Sequence, residues 1–346
     1  MKYTRLRCAF GLIALLITFT LSAWSQSLYP PTFSSNLGYN GTNPFQTQQN
    51  YSFSRSPSLA TDPTGAYPYL YMAYGSTASD DYLYVTWTSD GITWNGKAYT
   101  TLNTSYSPAI AFYNGNLWVA WISDGKNGLT KGVLYVDYTN NPSAGFSASP
   151  IAVLNSFDNP YIPSSSPTLA VYNNQLWIAS VDSDDNIITW GTTDGSSFVS
   201  ASACQGNAND PSGNKPRLDA QVGMAVFNGR MYYAYQTNAQ TVRVCATNGG
   251  VSDATYSSAG GTSTGGGVSA TVYDGHLTFT FKDNTSGNHP VIVGTTDGVN
   301  YTGETAAFSM NGNNEITPGT AVYNNHFYVV MTAPAANHKQ WTAVGY

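Results

Sequence analysis

The chain has 346 residues, of which 42% are hydrophobic and only 9% charged, and its formal net charge is −6 at neutral pH. An acidic balance with so few lysines and arginines argues against nucleic acid or an anionic membrane as partner, since either needs a basic face. Heavy use of Gly, Ser, Thr and Asn, with 26 Tyr and 8 Trp, suits short twisted strands and tight turns and disfavours helix.

In chain order, a basic start (Lys2, Arg5, Arg7) leads into an apolar run from Cys8 to Leu21 and then Ser22-Ala23-Trp24-Ser25. These are the parts of a signal peptide over residues 1–25, cut before Gln26. The run is short for a membrane span, although an uncleaved anchor is the alternative. No second apolar run follows, so the mature chain is expected to be exported, extracellular or periplasmic, without membrane insertion. Cleavage leaves 10 basic residues against 19 acidic ones, a formal charge of −9. Residues 26–44, rich in Pro, Ser, Gly and Asn, read as a polar tether.

From residue 45 to 346 a repeat dominates. Pro108-Ala-Ile-Ala-Phe-Tyr-Asn-Gly-Asn-Leu-Trp-Val-Ala-Trp121 recurs from Pro167, Val222, Val268 and Pro318, with a looser first copy from Pro57 to Tyr74 turning at Asp62-Pro63-Thr64-Gly65. Asn114, Asn173, Asn228, Asp274 and Asn324 open Asn-Gly, Asn-Asn or Asp-Gly pairs between apolar strands, which is hairpin chemistry requiring positive φ. These anchors lie 59, 55, 46 and 50 residues apart, room for four short strands each. Six such units predict an all-β fold, a six-bladed β-propeller of four-stranded antiparallel blades. The last copy holds only three strands, so a strand near Phe45–Phe53 is expected to close the ring and remove its open edge.

A second turn follows in three copies: Thr88-Ser89-Asp90-Gly91-Ile92-Thr93-Trp94, Thr192-Thr193-Asp194-Gly195-Ser196-Ser197-Phe198 and Thr295-Thr296-Asp297-Gly298-Val299-Asn300-Tyr301, with Asn248-Gly249 a weaker relative. These motifs resemble the Asp-box repeats of the sialidase superfamily, one residue shorter between aspartate and aromatic. The Leu-Ala-Val-Tyr-Asn-Asn element resembles propeller repeats of secreted lectin-like proteins. The resemblance implies a structural role for Asp90, Asp194 and Asp297, far from any active site. Cys204 and Cys245 remain once Cys8 leaves with the signal; in an oxidising compartment they form one disulfide or stay as two buried thiols.

Loops from second to third strand, and from each blade to the next, share one propeller face, here called the loop face. Tyr74, Trp121 and Tyr235 end second strands toward it and read either as sugar-stacking platforms or as packing between blades. Arg55, Arg217, Asp182, Asp184 and Asp219 are the polar groups expected beside them. A sialidase would need three arginines clamping a carboxylate and a tyrosine with a glutamate beside it. Arg55, Arg217, Arg230 and Arg243, with only Glu304 and Glu315 as glutamates, fit that poorly. A glycoside hydrolase working with two aspartates remains open among Asp158, Asp182, Asp184, Asp185 and Asp219. The run from Asp182 to Asn186 lacks the glycine and glutamate of a calcium loop, and His276, His289, His326 and His338 are dispersed, so neither metal nor cofactor is expected. The leading expectation is therefore a monomeric, non-catalytic binder of glycan or another extracellular polymer. The hydrolase is the alternative, and a protein-binding scaffold a third.

Overall fold

The computed structural model describes residues 29–31, 33, 55–76, 81–91, 93–104, 106–146, 149–204, 215–248, 255–283, 289–306, 317–332 and 340–345. All regular structure there is β, and no helix is long and apolar enough to cross a membrane. Blade one holds β1 (Ser58–Thr61), β2 (Leu70–Gly75), β3 (Tyr82–Thr88) and β4 (Asn95–Asn103). Blade two holds β5 (Ala109–Tyr113), β6 (Asn116–Ile122), β7 (Leu134–Thr139) and β8 (Ile151–Ala152). Blade three holds β9 (Thr168–Tyr172), β10 (Gln175–Val181), β11 (Ile187–Thr192) and β12 (Val199–Cys204).

Blade four, β13 (Gly223–Phe227), β14 (Arg230–Gln236) and β15 (Thr241–Thr247), shares the long strand β16 (Thr255–Tyr273) with blade five. The first part of β16 pairs with β15, and its end pairs with β17 (His276–Asp283), which continues to β18 (Pro290–Thr295) and β19 (Thr305–Ala306). Blade six contains β20 (Gly319–Tyr323), β21 (His326–Thr332) and β22 (Gln340–Gly345), and Phe33 pairs antiparallel with Gly345 at its outer edge. The architecture is a six-bladed propeller with every ladder inside a blade antiparallel. The closing contact comes from Phe33; the strand expected near Phe45–Phe53 lies outside the described residues.

The hairpins obey their turn chemistry. Asn114 and Gly115 sit at φ 48° and 70°, and the pairs at 173–174, 228–229, 274–275 and 324–325 are likewise positive at both positions. Such turns match the twist of the strands they join. Residues of alternate parity on each strand then face opposite neighbours, so each blade is apolar on both sides. Six buried clusters result, one per joint between blades. First strands line the axis, where Ser58, Ile110, Thr168, Ser269 and Thr320, with Gln221 just before β13, surround a cavity of about 70 Å³.

Cys204 and Cys245 are disulfide-bonded with Cα atoms 6.3 Å apart, tying the outer strand of blade three to the third strand of blade four.

Candidate functional site

The Asp-Gly turns and the hairpins share one face. The Tyr113 hydroxyl lies 2.9 Å from the carbonyl oxygens of both Asn174, in a hairpin, and Thr193, in an Asp-Gly turn. In each Asp-Gly turn the carboxylate is consumed locally. Asp90, Asp194 and Asp297 accept the amides of Thr93, Ser197 and Asn300 at 2.7, 2.9 and 2.8 Å, and the hydroxyls of Thr88, Thr192 and Thr295. Backbone donation from Ser197 and Ser196 to Asp194, and from Asn300 and Val299 to Asp297, holds both carboxyls well below the usual carboxylate range. These aspartates lie on the face away from the candidate site.

On the loop face the three expected stacking platforms are absent from the surface. Tyr74, Trp121 and Tyr235 are 1%, 0% and 2% exposed. Tyr74 stacks on Tyr84 at 5.3 Å and Trp121 on Tyr135 at 5.9 Å. The physical reason is the close approach of neighbouring blades, which buries both sides of a second strand as far as its loop-face end. A ring there is packing, not platform.

The expected polar partners separate into two fates. Asp182 caps its own loop: its Oδ1 accepts the amides of Asp184 and Asn186 at 2.9 and 2.8 Å, while the Asn186 side chain donates to its Oδ2 at 3.3 Å. Asp184 is exposed, and its carbonyl oxygen accepts from Lys215, whose ammonium also pairs with Asp185 at 3.5 Å. Asp219 takes both nitrogens of one face of Arg217, Nη2 at 2.8 Å. Arg55 is exposed beside Gly75. The structure thus gathers Asp182, Asp184, Asp185 and Lys215 at the end of blade three, next to the Arg217–Asp219 pair that leads into blade four. Arg230 bonds the carbonyl oxygen of Ala246 and Thr255 near a hairpin, and Glu315 lies outside the described residues.

A second constellation was not singled out from sequence. Lys126 reaches Asp81 Oδ2 at 3.1 Å and Asp124 Oδ2 at 2.9 Å. Asp81 comes from the loop after β2 of blade one, Asp124 from the loop after β6 of blade two. A single ammonium therefore draws one oxygen from each of two carboxylates on adjacent blades to no more than about 6 Å apart, so the two acids can face one bound sugar together. Asn103 and Asn127 bond one another alongside. Asp124 is the more enclosed, with 10% of its side chain exposed against 43% for Asp81. Both aspartates lie in loops from a second to a third strand, and only closure of the ring brings them together. Among the described residues no group of His, Cys, Asp and Glu is arranged to hold a metal ion.

No protein-family model matches this sequence, and no curated protein matches it either. Solved structures do. An alpha-L-arabinanase of Penicillium chrysogenum, complexed with arabinobiose, matches with TM-score 0.63 at 12% identity, over 91% of this chain and 98% of the other. The GH93 alpha-L-arabinofuranosidase of Fusarium graminearum matches with TM-score 0.57 at 13% identity, over 90% and 97%. A Trypanosoma rangeli sialidase in complex with the inhibitor DANA matches with TM-score 0.56 at 11% identity, over 85% of this chain and 55% of that one. At these identities the likeness establishes a sialidase-like propeller fold. The expectation of non-catalytic glycan binding is corrected on two counts: its stacking rings are buried, and these neighbours in fold are glycoside hydrolases.

Proposed function

We propose that the protein is an exported glycoside hydrolase whose carboxylate pair is Asp81 and Asp124. The observation that carries this reading is their shared contact with Lys126, which gathers two acids from neighbouring blades on the loop face. The hydrolases that share the fold support the reaction class, and their printed ligands make arabinose-containing polymers the first substrates to try.

A substrate entering this loop cluster displaces Lys126 and excludes water. In this reading the more enclosed Asp124 is the general acid toward the leaving oxygen, reloaded with a proton from water in each turnover, and the more open Asp81 is the nucleophile or the base toward water. Asp182 and Asp219 are occupied by their own loop and by Arg217, which makes them substrate-positioning groups at most. The Thr-x-Asp-Gly turns, read as Asp-boxes, are scaffold on the opposite face. The cut before Gln26 remains part of this reading.

The test is incubation of the chain from Gln26 to Tyr346 with arabinan, arabino-oligosaccharides and sialylated conjugates, with reducing ends or free sialic acid measured. Product release lowered by about 10³-fold or more in both Asp81→Asn and Asp124→Asn, with Asp90→Asn unaffected, is the expected result. Release that survives both substitutions removes this pair, and no release from any substrate removes the hydrolase reading.

A further inference from the structure

Residues 29–33 fall within the stretch expected as a tether, yet their described part is docked. The Tyr29 ring stacks on His276 at 3.8 Å and 4° between planes. The Thr278 hydroxyl lies 3.4 Å from the Tyr29 hydroxyl. Pro31 and Phe33 cover Gly345, and Phe33 meets Phe327 edge-on at 6.3 Å. A Cβ on Gly294 would collide with the Tyr29 ring, so the glycine makes the seat. Burial pushes the Tyr29 hydroxyl up to about 12, which agrees with a ring held inside the joint.

The blade alignment says what this tyrosine replaces. The residues that follow the aligned apolar positions Leu70, Leu117, Leu176, Met231, Leu277 and Phe327 of the second strands are Tyr71, Trp118, Trp177, Tyr232, Thr278 and Tyr328 in blades one to six. Five are aromatic. Trp118, Tyr232 and Tyr328 cover Gly195, Gly298 and Gly91 of the following blade; Tyr71 meets Phe112 of the following blade; Trp177 lies over Gly191, its own cross-strand partner. Blade five alone offers threonine, and its cross-strand partner is Gly294. The joint it leaves is also the poorest. Among the described residues its buried cluster has five members, Tyr273, Ile292, Phe327, Val329 and Ala343, while the other five clusters have 10 to 14. Tyr29 and Phe33 pack against those five.

We infer that the segment from Tyr29 to Phe33 is an intramolecular clasp: Tyr29 supplies from the N-terminus the aromatic ring that blade five lacks at Thr278, and so locks the joint between blades five and six. Among the described residues the segment pairs its backbone with blade six at Phe33 and Gly345, and adds to that bridge the Tyr29 side chain seated on Gly294.

The experiment compares the chain from Gln26 to Tyr346 with Tyr29→Ala, alone and in a Thr278→Trp background, by thermal melting and limited proteolysis. Tyr29→Ala is expected to lower Tm by about 5 °C and to speed cleavage several-fold, while in the Thr278→Trp background, where an indole covers Gly294, most of that loss disappears. An unchanged melting temperature in Tyr29→Ala, or the same loss in both backgrounds, overturns the inference. If Thr278→Trp does not fold, Gly294→Ala takes its place: its methyl evicts the same ring, so its loss and that of Tyr29→Ala must not add. Additive losses overturn the inference equally.

Discussion

Asp194 and Asp297 show how one side chain fixes a turn. Each accepts two backbone amides and a threonine hydroxyl, and each ionises well below the ordinary carboxylate range for that reason. A carboxyl depressed in the folded state stabilises the fold above its unfolded pKa, near 3.9, and that contribution is lost as pH falls toward the depressed value. The urea midpoint is therefore expected to fall between about pH 5 and pH 2, and the Asp194→Asn, Asp297→Asn double variant to lose part of that slope. An identical slope in the double variant would place the acid sensitivity elsewhere. The bonds of these aspartates were legible in the motif, since Thr-x-Asp-Gly places both partners within three residues. The convergence of Asp81 and Asp124 on Lys126 was not, because the two aspartates lie in loops of different blades.

Elements are joined through glycines at two grades of strictness. Gly195 and Gly115 both hold positive φ, 74° and 70°. A Cβ on Gly115 meets nothing within 4 Å, whereas one on Gly195 strikes the Trp118 ring of the preceding blade. Gly115→Ala should cost about 1 kcal/mol from backbone strain alone. Gly195→Ala should cost about 3 kcal/mol, since the indole must also leave its seat. Denaturant unfolding separates the two, and equal losses would mean that Trp118 shifts freely. Sequence reasoning found both turns through their Asn-Gly and Asp-Gly pairs. It had no means of telling which glycine has a neighbour, because Trp118 lies 77 positions before Gly195.

At the scale of the whole ring, each joint is closed by contacts distant in sequence. The Tyr323 hydroxyl of blade six lies 2.9 Å from the carbonyl oxygens of Pro68 and Ser89 in blade one. The disulfide between Cys204 and Cys245 spans 41 residues and ties blade three to blade four. Reduction, or Cys204→Ser with Cys245→Ser, is expected to lower unfolding free energy by about 4 kcal/mol through the greater freedom of the unfolded chain. A melting curve indifferent to reductant would show that the two blades hold equally well without it. By itself the sequence determined the repeat, the turn chemistry and hence the six-bladed propeller, because hairpin and Asp-Gly turns are written within a few consecutive residues. Only the tertiary structure decided that Tyr74, Trp121 and Tyr235 are core, that Asp81 and Asp124 share Lys126, and that Tyr29 fills the gap at Thr278. A blade is apolar on both sides, so an aromatic at a strand end reads the same whether it faces a sugar or the next blade, and only closure of the ring sets which neighbour it meets.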